Sequence, residues 1–182
     1  MIETEKIEEL LREQGIIKSF VLLDNSIFGY YYCDGNYKII LMNQSIKNDE
    51  RLYRSVLAEE IGHHMTTYGD ITQRKHSHYC TDNAINKQED RSIKWATDFL
   101  IPTKSLIAEL KDRNLNSPYD LEDSFLVTRQ FLMKKFMQMA YEKPIWELDS
   151  ERYLYLYNFP SICILNSPKD NEAVLEEIFR YE

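Results

Sequence analysis

The stretch "SVLAEEIGHH", residues 55–64, decides how this chain is read. Two glutamates and two histidines crowd in beside an apolar run. On a helix, Glu59 and His63 stand four residues apart, about 40° around the axis. Glu60 and His63 are three apart, on neighbouring ridges. A solvated helix face would look like this, and so would a metal site whose first position has changed.

Two ligands at i and i+4 with a glutamate at i+1 is the spacing of H-E-x-x-H metallohydrolases, here with Glu59 in place of the first histidine. Zinc accepts a carboxylate oxygen at about the distance of an imidazole nitrogen. Tyr53, Leu57, Ile61 and Met65 make an apolar stripe, so the helix packs on something. Glu59 and His63 lie to one side of it, flanked by Ala58 and Gly62, which are small enough for a helix or a substrate backbone to approach.

A third ligand has to come from a second element. In "KQEDRSIKWATDFLIP", residues 87–102, Ile93, Ala96 and Leu100 follow Glu89 at i+4, i+7 and i+11. Glu89 is thus placed on a buried stripe, where an unpaired carboxylate is costly; a cap, an arginine partner or a metal would each relieve it. Asp90 shares a face with Lys94 and Asp98 and reads as solvated. His64 points about 100° away from His63 and reads as a packing or solvent residue. His76 and His78 read as a polar loop pair, with a mobile ligand or an oxyanion-stabilising imidazole as the alternative.

Outward from this centre, residues 3–14 predict an amphipathic helix stopped at Gly15, and "SFVLLD" a short strand. "SIFGYYYCDGNYKIILMNQSI" predicts a hairpin turning at "DGN". The central helix spans about 47–69, capped by Asn48 or Asp49. Residues 70–86 read as loop. Helices follow over about 87–100, stopped by Pro102, and over 103–114, then a helical pair over 117–142 breaking near Val127-Thr128. Residues 151–165 read as one or two strands interrupted by Pro160, and 170–182 as a closing helix.

The chain has 182 residues, 43% of them hydrophobic, with thirteen tyrosines, enough for a sizeable core. A net charge of −8 and a pI near 5.1 argue against gripping a phosphate backbone. A helix-turn-helix over 119–140 is conceivable from Arg129, Lys134 and Lys135, but Leu121, Phe125, Val127, Leu132 and Phe136 are what a helical pair needs for packing. Direct nucleic acid binding is therefore not expected. Cys33, Cys80 and Cys163 form no C-x-x-C pair and read as reduced thiols. No apolar run approaches the ~20 residues that span a bilayer, and the acidic N-terminal helix is no signal peptide. A cytoplasmic protein is the expectation. A di-iron carboxylate site would need a second E-x-x-H, which this chain lacks.

"VLAEEIGHHMTTYGDIT", followed some twenty residues on by "KQEDRSIKWATDFLIP", resembles the ImmA/IrrE family of metallo-endopeptidases over about residues 20–140. The resemblance implies an α+β fold: a zincin-like core with a short sheet or hairpin packed on the metal-site helix, then a helical subdomain and a small C-terminal strand-helix appendage. The expected boundaries are 1–142 for the peptidase-like domain (core about 20–102, helical subdomain about 103–142) and 143–182 for the appendage, parting near Lys143-Pro144. Position by position, the resemblance makes Glu60 the general base, His63 and Glu89 metal ligands, and Glu59 the occupant of the first ligand position.

The implied activity is cleavage of a partner regulator, typically a helix-turn-helix repressor of a phage or mobile element. Two carboxylates and one imidazole put more negative charge on a metal than a His-His-Glu set. Its water would ionise less readily, and manganese or iron would suit it as alternatives to zinc. The competing reading is an inactive, peptidase-like protein that binds a regulator or toxin partner.

Overall fold

The computed structural model describes residues 2–66, 79–112, 118–166 and 174–179. Two compact units emerge: Met1–Leu100 with Leu126–Thr128, and Ile101–Phe125 with Arg129–Glu182. Both helices and sheets contribute, so the fold class is α+β. Lys143-Pro144 marks the passage from helix to sheet inside the second unit.

The first unit opens with α1 (Thr4–Glu13), which buries Ile7 and Leu11 and ends as Gly15 turns to φ 65°. Three strands form a mixed sheet: β1 (Ile17–Val21) runs parallel to β3 (Lys38–Asn43), and β2 (Gly29–Cys33) antiparallel to it, in the order β1-β3-β2. The hairpin turn is where "DGN" predicts it. Asp34 Oδ1 accepts from the amides of Asn36 (3.0 Å) and Tyr37 (2.8 Å), and Gly35 takes φ 89°. Ile40 and Met42 of the central strand are fully buried. Asn43 anchors the approach to β2: its amide donates to Phe28 O (2.8 Å) and its Nδ2 to Ile27 O (2.8 Å).

α2 (Glu50–Thr66) starts at Asp49, whose Oδ1 accepts from the Leu52 amide at 3.0 Å. Tyr53, Leu57 and Ile61 are buried as the stripe predicts, but Met65, in the last turn, is 41% exposed. The stripe therefore ends a turn early. Arg54 is fully buried on another face: Nε donates to Leu126 O (3.0 Å), Nη1 to Thr4 Oγ1 (2.8 Å) and Nη2 to Ile2 O (2.7 Å). Burial holds its guanidinium below the ordinary value, opposed by Glu50 and Glu5. Ser55 Oγ meets the Thr128 amide at 3.3 Å. These bonds tie Leu126–Thr128 into this unit.

α3 runs from Tyr79 to Leu100. Residues 70–86 are expected as loop or short irregular elements, yet 79–86 are helical. Polarity alone does not break a helix, and no Gly or Pro lies between Tyr79 and Leu100. His76 and His78 lie outside the described residues.

The second unit holds α4 (Thr103–Lys111), α5 (Pro118–Phe125), α6 (Arg129–Glu142) and an antiparallel sheet. Its strands are β4 (Ile145–Glu147), β5 (Arg152–Tyr155), β6 (Ile162–Asn166) and β7 (Val174–Phe179), in that order. α6 buries Phe131, Leu132, Met133, Phe136 and Met139. The expected C-terminal helix is the strand β7, with Val174 opposite Asn166 and Phe179 opposite Ile162. Pairing with a neighbouring strand overrides the helical spacing of Val174, Leu175, Ile178 and Phe179. The expected strand-helix appendage is thus corrected to part of a four-stranded sheet.

Candidate metal centre

α2 and α3 touch where their side chains are smallest. A Cβ built on Gly62 would stand 2.5 Å from Ser92 O and 3.0 Å from Ser92 Oγ. Ser92, itself buried, donates from Oγ to the Glu59 carbonyl at 3.1 Å. The small residues at 58 and 62 do admit another helix, and that helix is α3. One turn up from Ser92, Glu89 reaches back to α2.

His63 Nε2 and Glu89 Oε2 lie 3.5 Å apart, with side chains 15% and 38% exposed. Two ligands of a tetrahedral zinc at about 2.0–2.1 Å are separated by roughly 3.3–3.4 Å. An imidazole nitrogen facing a carboxylate oxygen at this distance suits a divalent cation between them. It equally suits a direct ion pair when His63 is protonated. Glu59 is half-buried one helical turn before His63. Among the described residues, no group of three or more His, Cys, Asp or Glu side chains is gathered closely enough to hold a metal ion. Two of the expected ligands therefore face each other, and the Glu59 carboxylate does not complete a set with them.

Glu60 lies on the side of α2 that faces the hairpin. A Cβ on Gly29 would stand 2.7 Å from Glu60 Oε1, 2.9 Å from Glu60 Cγ and 2.6 Å from Val56 Cγ1. The Glu60 carboxylate thus rests against the backbone of β2, one of the two edge strands of the sheet. Gly29 carries no expectation from the sequence, although an isolated glycine in a strand is a known sign of close approach.

His64, read from sequence as packing or solvent, has a defined role. Its Nδ1 is 2.8 Å from the Tyr31 hydroxyl. Burial, and then the nearby Lys38, hold its imidazole below the ordinary value. Burial, and then the Cys33 side chain, push the Tyr31 hydroxyl well above its own. A protonated phenol beside a neutral imidazole makes Tyr31 the donor and His64 Nδ1 the acceptor. Asp90 is exposed and Lys94 pairs with Asp98 at 3.3 Å, as expected of a solvated face.

A helix bearing Glu60 and His63, a second helix returning a glutamate, and an edge strand alongside define a peptidase-like α+β domain. The chain belongs to the Peptidase_M78 family, described as the IrrE N-terminal-like domain, whose profile matches residues 18–137. The match takes in the hairpin, α2, α3 and most of the helical region after them, so this is a peptidase-type protein in general class. No curated protein matches the chain. Among the described residues, no helix is long and apolar enough to cross a membrane.

Proposed function

We propose that the protein is a cytoplasmic metal-dependent endopeptidase that cleaves a partner regulator of the repressor type. The observation that carries this reading is the 3.5 Å approach of His63 Nε2 to Glu89 Oε2, inside a chain of the Peptidase_M78 family. Glu59 supplies the third donor by turning its carboxylate toward that pair. Zinc is the first choice of ion, manganese or iron the alternatives for a site with two carboxylates. When bound, such a cation supplies Lewis-acid polarisation of water and of a peptide carbonyl.

The remaining steps belong to the chain's own residues. Glu60 accepts a proton from the attacking water and returns it to the nitrogen of the departing amine. Among the described residues β2 pairs with β3 on one side only, and its other edge would take an extended substrate that adds as a strand. That would lay a scissile peptide along Gly29, beside the Glu60 carboxylate.

The two adjacent glutamates separate this reading from a solvated helix face. Glu60→Gln keeps metal and fold and lowers turnover by roughly 10²–10⁴-fold. Glu59→Gln acts first on metal affinity, and Glu59→His holds zinc at least as well as the parent. Metal content by mass spectrometry is measured for all three, alongside cleavage of a candidate repressor-type regulator. If both glutamine variants leave metal content and cleavage unchanged, the peptidase reading is wrong. A folded, metal-free parent would leave the family fold with a binding role only.

A further inference from the structure

Gly29 is pinned on both sides. Before it, Phe28 O accepts from the Asn43 amide at 2.8 Å. After it, the Tyr31 hydroxyl meets His64 Nδ1 at 2.8 Å. Successive contacts advance by two residues on β2, Gly29 then Tyr31, and by one turn on α2, Glu60 then His64, so strand and helix are registered at two points. Between them, the space a Cβ would need at Gly29 is taken by Val56 Cγ1 (2.6 Å), Glu60 Oε1 (2.7 Å) and Glu60 Cγ (2.9 Å).

We infer that Gly29 is a positioning residue for the Glu60 carboxylate: the missing side chain is what lets that carboxylate lie against the edge strand. The inference rests on the proposed function for the role of Glu60, and on geometry for the rest. A methyl group at position 29 meets two neighbours of different stiffness. Val56 is β-branched and held in one rotamer on its helix, so it resists. Glu60 turns about three side-chain torsions and yields. With the strand anchored at Phe28 and Tyr31, the carboxylate is what moves.

Gly29→Ala mixes a packing clash with this displacement, and Val56→Ala in the same chain removes the clash. The test compares Val56→Ala with Gly29→Ala/Val56→Ala. Three readouts are taken: zinc content, the Glu60 carboxyl ¹³C resonance (assigned by its loss in Glu60→Gln), and turnover of a quenched-fluorescent peptide mixture. The double variant is expected to match Val56→Ala in thermal midpoint and zinc content. Its Glu60 resonance shifts, and kcat falls roughly 10²-fold, as for an ångström-scale misplacement, while KM holds. An unmoved resonance, a kcat equal to that of Val56→Ala, or a double variant that does not fold would each overturn the inference. A parent that turns over no peptide would sink the proposed function instead, and the resonance would still decide the role of Gly29.

Discussion

α2 and α6 each bury seven residues, and they do so by different means. α6 fills its surroundings with bulk: Phe131, Leu132, Phe136 and Met139 are at most 2% exposed. α2 buries three large apolar side chains, Tyr53, Leu57 and Ile61, but its other contacts are made by Ala58, Gly62, Ser55 and the Arg54 guanidinium. α6 also buries Lys135, whose Nζ donates to Thr103 Oγ1 at 2.8 Å, and Gln138, so both helices admit polar groups; what sets α2 apart is packing through small residues, as at Gly62, which brings backbones close. Glutamates and histidines can then stand at the margins of the contact, half-buried and aimed at neighbours.

The largest effect should come from removing bulk. Phe136→Ala is expected to cost about 3–5 kcal/mol in urea unfolding, while the metal content of the folded fraction stays that of the parent. A changed metal content in that fraction would mean the two helices are not independent. Next comes Arg54→Met, which fills similar volume but takes the guanidinium donor away from the carbonyls of Ile2 and Leu126, both half-buried residues. A loss of roughly 2–4 kcal/mol is expected, and a loss below about 1 kcal/mol would make α2 as bulk-packed as α6.

Gly62→Ala should cost about 1–3 kcal/mol, because the clash is with the Ser92 carbonyl, which cannot rotate away. On the proposed function, by moving α3 it should also weaken zinc binding more than its stability cost alone implies, as isothermal titration would reveal. The smallest effect concerns acid. The amides of Tyr37 and Asn36 hold the Asp34 carboxyl below its ordinary value of 3.8, and those of Glu151 and Arg152, with the Arg152 side chain, do so for Asp149. A depressed folded-state value means stability present above 3.8 and lost as pH falls through the lower folded-state values. Urea midpoints between pH 5 and pH 2.5 should therefore decline, and Asp34→Asn and Asp149→Asn should each flatten the decline.

Local signals carried most of the fold. The "DGN" turn, the Asp49 cap and the stop at Pro102 each follow from one or two residues with a fixed backbone preference; the break expected near Val127-Thr128 falls after Phe125, where Leu126 takes φ 50°. What escaped depended on partners distant in sequence. The spacing of Val174, Leu175, Ile178 and Phe179 is helical, and only the neighbouring strand β6 makes it β7. β4, three residues long, is too short for periodicity to register. The site divides in the same way. The facing of His63 and Glu89 was legible from helical spacing, although Glu89 is 38% exposed and the buried face of α3 runs through Ser92, Ala96, Thr97 and Leu100 rather than through Glu89 and Ile93. The contact of Gly29 with Glu60 and the bond from Tyr31 to His64 were not, because each joins a strand to a helix some thirty residues on.

The bonds from Arg54 and Ser55 to Leu126 and Thr128 have a consequence for biosynthesis. The first unit lacks three of its residues until the chain has been translated past α5, and the Arg54 fork has no Leu126 carbonyl to grip before then. During vectorial synthesis, residues 101–125 emerge first and must loop out and back, closing an entropy-costly loop before that tether forms. A ribosome-bound chain truncated within α4 should therefore be cut by protease in the first hundred residues, and one extended well beyond Thr128 should resist.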